Sequence, residues 1–182
     1  MTPLFHRAMG EAALRTLPQP IVVLHDVCDV RTWHGRSTVA RGTTVLARLA
    51  ALVMRFPPDG RDRSLNVRMR ATPRGEEWSR SFDGWPLVTS LEPGPVDGTI
   101  RERLGPVAAV SRLEADAAGV TQHLVGLRVM GLPAPRWLWP SLDVREGAEG
   151  TRYTFRMRID DPWGRLVIAY EGWLATDTRR EG

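Results

Sequence analysis

Lysine is absent from this 182-residue chain, so all 25 of its basic side chains are arginine. With 21 acidic residues interleaved, the formal net charge is only +4, and the arginines are spread along the chain instead of forming a tract. Nucleic-acid binding uses a concentrated basic face and is not expected. Cysteine occurs once, at Cys28, which excludes an intrachain disulfide and a cysteine-based metal site and favours a reducing compartment. With no activating base nearby except His25, Cys28 reads as a small buried hydrophobe. No apolar run reaches the ~18 residues of a membrane span. The N-terminal MTPLFHRAMGEAALRTL carries charge where a signal peptide has its apolar centre, so a cytoplasmic location is expected. No serine sits in a nucleophile elbow, and no G-x-G-x-x-G is present, so hydrolase chemistry lacks support and no resident dinucleotide cofactor is expected.

Hydrophobic residues make up 42% of the chain, enough for one core over residues 1–182, with a helical part at about 3–26 and a β-rich part at about 31–175. Residues 3–17 have the periodicity of an amphipathic helix, stopped by Pro18 and Pro20. Thr43 to Phe56, TTVLARLAALVMRF, is the longest apolar stretch. On a helical wheel Thr44, Arg48, Ala51 and Arg55 form one narrow stripe and apolar residues cover most of the rest, which predicts a largely buried helix capped by Gly42 and Thr43. Around it the period is two. Trp33, Gly35, Ser37 and Val39 alternate with His34, Arg36 and Thr38; Leu65, Val67, Met69 and Ala71 alternate with polar neighbours; and Trp78 and Phe82 alternate with Glu77, Ser79 and Ser81. Further strands are expected at 87–91, 99–104, 107–115, 120–130, 142–146, 151–160 and 165–175, separated by Gly/Pro turns with no helix-length gaps. The expected fold is α+β: a highly curved antiparallel β-sheet or incomplete β-barrel, with N-terminal helices outside and helix 43–56 against the concave face.

Several blocks along the chain resemble one family. They are Leu24-His25, Trp33 to Arg36 with Val39, Phe56-Pro57-Pro58 with Gly60, Trp78 with Arg80 and Phe82, and Arg101-Glu102-Arg103 with Gly105-Pro106. Gly131-Leu132-Pro133 with Pro135 to Leu138 and Pro140, and Tyr170 with Gly172-Trp173-Leu174, complete the set. In these the chain is similar to a bacterial family catalogued as domain of unknown function 4166. The family is found alone and also fused behind saccharopine-dehydrogenase-like oxidoreductase domains. The resemblance brings no catalytic residues. It implies an oxidoreductase partner, with any nicotinamide cofactor held by that other polypeptide.

His25, Asp26 and His34 are the nearest approach to an acid/base cluster, since a carboxylate can set one imidazole's tautomer while the other reaches a substrate. A simple turn at Asp26 is the competing reading. Metal binding is not expected from these residues, because with His123 they match no ligand spacing. Glu102, Glu146 and Glu171 fall within strands; any that points inward needs a partner, for which Arg36, Arg48, Arg103 and Arg128 are candidates. Seven tryptophans serve equally as core filler or as walls of a ligand site. The leading expectation is a binding module for an apolar small molecule or lipid-like ligand, using Trp33, Arg36, Arg48, Trp78, Glu102, Arg128, Trp137 and Trp173. The alternative is an accessory catalytic domain acting through His25, Asp26 and His34 on a substrate shared with an oxidoreductase. A third reading is peripheral membrane contact through Arg48, Arg55 and the Trp137 loop.

Overall fold

The computed structural model describes residues 2–176. Two short helices, α1 (Leu4–Leu14) and α2 (Gln19–Leu24), come first. Pro20 sits in the first turn of α2, where its missing N–H goes unneeded. Strand β1 (Val30–Arg41) then leads through helix α3 (Val45–Val53) to β2 (Gly60–Thr72), β3 (Gly75–Phe82), β4 (Trp85–Pro93), β5 (Thr99–Leu104), β6 (Val107–Asp116) and β7 (Gly119–Val129). A two-residue β8 (Leu132–Pro133) and a 3-10 turn at Arg136–Leu138 precede β9 (Ser141–Glu149), β10 (Arg152–Asp160) and β11 (Leu166–Thr176).

The eleven strands form one antiparallel sheet. Strand β8 folds back to pair with the end of β7 alone, and the others close into a barrel in the order β6-β5-β4-β3-β2-β1-β11-β10-β9-β7, with β7 returning to β6. The expected curved sheet is therefore present and its closure is complete. The seam is uneven. Strand β7 runs beside β6 over most of its length, from Gly119↔Asp116 to Val129↔Val107, but meets β9 only from Val120↔Glu146 to Gln122↔Val144. Gly119 makes that seam: a Cβ there would lie 1.8 Å from the Glu146 carbonyl oxygen, and its φ of 148° suits only glycine.

The period-two reading holds residue by residue. Trp33, Ser37 and Val39 of β1, Leu65, Val67 and Met69 of β2, and Trp78 and Phe82 of β3 are buried, while Arg36 and His34 lie on the outer face. One barrel end is plugged. Leu4 and Phe5 of α1 and Ile21 and Leu24 of α2 are essentially inaccessible, so the N-terminal helices stop that end from within instead of lying outside the sheet. Ten strands leave an end too wide for side chains alone to close, and an apolar helical stopper satisfies both surfaces.

Helix α3 departs from expectation. Its cap is Thr44, whose hydroxyl accepts from the Ala47 amide at 3.1 Å, and its buried residues are Ala47 and Ala51. Val45, Leu46, Leu49, Leu52 and Val53 are exposed, with Val45 at 85% and Leu52 at 76%. The helix is therefore not buried in the concave face; it lies at the rim opposite the plug, against β11 and β1. Two causes act together. The barrel interior is already occupied by inward strand residues, and the small pair Ala47/Ala51 beside Gly42 lets the helix backbone approach the wall closely. A wheel read for the widest apolar arc selects the wrong face.

Candidate functional site

Inward side chains leave a cavity of about 190 Å³. Its walls run from Phe5 at the plug to Met54, Phe56, Leu104 and Pro140 at the opposite rim. Most of the lining is aliphatic or aromatic, contributed by the inward positions of nearly every strand.

Two polar groups interrupt it. In the wall, Arg80 of β3 donates from Nη1 to the Thr89 hydroxyl at 2.9 Å and lies 3.7 Å from Glu102 of β5. Its guanidinium also sits 5.0 Å from the Trp78 ring centroid. Tyr170 lies close enough to feel both charges: burial raises its phenol pKa, Arg80 pulls it down and Glu102 pushes it up. At the floor, His25 at the end of α2 meets Glu146 of β9, Nε2 to Oε2 at 2.6 Å. Gln122 donates to the other Glu146 oxygen at 3.4 Å, and Tyr153 is held well above its ordinary pKa by burial and by its hydrogen bond to Glu146. The His25 ring stacks on Phe5 at 3.8 Å between centroids, and its Nδ1 has no hydrogen-bond partner. Beside them buried Glu76 accepts from the Trp78 Nε1–H at 2.8 Å and the Leu4 amide at 3.2 Å. Burial raises its pKa, opposed by Trp78, His25, the Leu4 amide and His6.

The structure does not bring the expected acid/base residues together. His25 points into the barrel, Asp26 takes the Arg31 guanidinium at 3.1 Å, and His34 bonds Asn66 on the outer face. The physical reason is parity: His34 is an outward position of a strand whose inward positions are Trp33 and Gly35. Cys28 is exposed and not buried. Of the eight expected ligand contacts, Trp78 and Glu102 line the cavity. Trp33 faces inward but packs in the core outside its walls. Arg36 is an outer-face residue paired with Asp62 at 2.5 Å, and Trp173 points outward with Arg152 stacked 4.1 Å from its centroid. Arg48, Arg128 and Trp137 are exposed around the rim.

Arg80, Glu146, Gln122, Tyr153 and Tyr170 were not among the expected site residues. Their signal was a polar side chain in apolar parity: Arg80 shares the register of Trp78 and Phe82, and Glu146 that of Leu142 and Val144. The inward glutamates find Arg80 and His25 as partners, and not the arginines the sequence suggested. Among the described residues no group of three or more His, Cys, Asp or Glu is placed to hold a metal ion, and no helix is long and apolar enough to cross a membrane.

A closed antiparallel barrel, plugged by helices at one end and keeping an apolar cavity with two polar stations, defines the architectural class. The chain matches the family described as Domain of unknown function (DUF4166) over residues 17–174 and belongs to it. No curated protein and no solved structure matches the chain.

Proposed function

We propose that the barrel binds a compact, mostly apolar molecule in its interior, with a neutral polar head set against Arg80 or the Glu146 station. The observation that carries this reading is the cavity itself. Natural cores are packed with few voids larger than a water molecule, whereas here about 190 Å³ remains among apolar walls. An apolar void of ~150 Å³ already holds benzene, so a ring system or a segment of alkyl chain fits. The charge of the walls favours a neutral head. Two inward carboxylates, Glu102 and Glu146, face one inward guanidinium, Arg80, since Arg156 of the lining occupies an outward position of β10, and His25 already serves Glu146. A ligand carboxylate at ~4 Å from Glu102 would meet a repulsion of about 4 kcal/mol at an effective dielectric of ~20, which attraction to Arg80 offsets only in part. An alcohol, ester or amide can instead use the Arg80 N–H groups, the Tyr170 hydroxyl or the Gln122 amide.

Native mass spectrometry followed by organic extraction tests the reading, together with displacement of an apolar fluorescent probe by an alkyl alcohol, its methyl ester and the matching acid. Saturable binding with the neutral compounds about tenfold tighter than the acid is expected. An empty spectrum and no saturable probe binding would overturn it. A second reading, proton transfer to or from the bound molecule, draws on the His25–Glu146–Tyr153 station at the cavity floor and on the oxidoreductase partner that the family resemblance suggested. Conversion of an extracted compound by the unmutated protein but not by Glu146→Gln would establish that reading.

A further inference from the structure

The barrel rim opposite the plug carries an apolar surface that the ligand reading does not use. Strand directions place five connections at this end: β1 to β2 through α3, β3 to β4, β5 to β6, β7 to β9 and β10 to β11. All but the short β5–β6 turn present exposed large hydrophobic residues. Leu49 and Leu52 come from α3, Trp85 from the start of β4, Met130 and Trp137 from the β7–β9 connection, and Trp163 from the β10–β11 turn. Elsewhere, among the described residues, exposed large hydrophobics are confined to Val30, Val88, Val96 and Val125. Exposed apolar side chains gathered on one face mark a partner.

Charge identifies the partner. Arg48, Arg55, Arg128 and Arg136 stand among these residues without an ion pair among the described residues. The carboxylates at the same end are engaged: Asp62 with Arg36, Asp83 with Arg63, Asp143 with Arg145, Asp160 with Arg158 and Asp161 with Arg165, while Asp59 accepts from the Arg41 amide. The rim therefore offers aliphatic and indole groups from several loops, surrounded by guanidinium groups in excess. That combination fits the interface of an anionic bilayer, where indole rings sit at headgroup level and arginines meet phosphates. A second copy of this chain would bring the same uncompensated arginines face to face, which disfavours it.

We infer that this rim docks onto an anionic lipid surface, with α3 lying in the interfacial plane and the Trp137 loop and Trp163 beside it. The cavity walls reach this rim at Met54, Phe56 and Pro140, and the β7–β9 pairing ends well short of it, so a docked barrel would turn its loosely seamed end toward the lipid. Docking does not require that the cavity be filled.

Sedimentation with vesicles of phosphatidylcholine alone and of phosphatidylcholine with about a third phosphatidylglycerol tests this. Binding to the anionic vesicles is expected, weakening with salt. Arg48→Ala and Arg55→Ala should each weaken it about fivefold, and Leu49→Ser with Leu52→Ser should abolish it while the melting temperature holds. Absence of binding to anionic vesicles would overturn the inference. So would a concentration-dependent dimer in sedimentation velocity that the Leu49→Ser, Leu52→Ser variant dissolves, since a second copy would then cover the face. Probe binding measured on the same variants separates the two proposals: a docking-dead protein that still binds probe leaves the cavity reading intact.

Discussion

His25 Nε2 and Glu146 Oε2 lie 2.6 Å apart across a sequence separation of 121 residues. The contact joins the plug to the wall, since His25 ends α2 and Glu146 is the inward residue of β9 at the narrow β7–β9 seam. Both side chains are nearly inaccessible, at 0% and 4%, so neither has solvent to fall back on. Glu146→Ala is expected to cost about 3 kcal/mol or more, because it strands a buried imidazole. The double variant His25→Phe, Glu146→Leu should recover much of that loss by replacing the polar pair with apolar volume. Urea unfolding of His25→Phe, of Glu146→Leu and of the double variant gives the coupling directly.

The plug and the rim helix should respond oppositely to truncation. Leu24→Ala removes a fully buried side chain and is expected to lose about 2 to 5 kcal/mol. Leu49→Ala removes one that is 55% exposed and should change stability by no more than about 0.5 kcal/mol. Chemical denaturation measures both. A large loss at Leu49 would mean that α3 is covered in solution.

Gly119→Ala is expected to destabilise by about 1 to 3 kcal/mol, because the new Cβ meets the Glu146 carbonyl oxygen and the backbone is held at a φ that alanine resists. Displacement of Glu146 should also loosen the floor of the cavity. Melting temperature reads the first effect and apolar-probe affinity the second.

Asp161 makes acid stability specific to one turn. Its carboxylate accepts from the Trp163 and Arg165 amides at 3.0 Å and from the Arg165 guanidinium at 2.9 Å. Burial alone would raise its pKa, yet these bonds outweigh burial and hold it below the ordinary 3.8. A carboxylate with a depressed folded-state pKa stabilises the fold above 3.8, and that contribution fades as pH falls through the lower folded value. Asp161→Asn should therefore lower the melting temperature at pH 7 and converge on the unmutated protein near pH 2. Parallel thermal melts across that range show whether the gap closes.

Most of the wall was legible because a strand needs only a two-residue code. The alternation of Trp78 and Phe82 with Glu77, Ser79 and Ser81 located β3 and its inward face without any knowledge of neighbours. The same alternation placed Trp33 inside and Arg36 outside. The local rule failed where residue volume and position along the chain mattered more than polarity. In α3, Ala47 and Ala51 are buried because they are small enough for the helix to lie close to the sheet, although the larger Leu49 and Leu52 are more hydrophobic.

The site shows the same division. The inward register of Arg80 and Glu146 is contained in the sequence, because parity assigns each to a face from its own strand. Their partners are not. Arg80 reaches Glu102 because β4 places β3 and β5 on either side of it, and Glu146 reaches His25 because barrel closure brings β9 to the plugged end. Alternating polarity thus determined which faces of the strands point inward, since side-chain direction along a strand repeats every two residues. Closure, the plug, the residual cavity and the exposed face of α3 were decided only by tertiary structure, because each depends on how much volume distant segments leave one another.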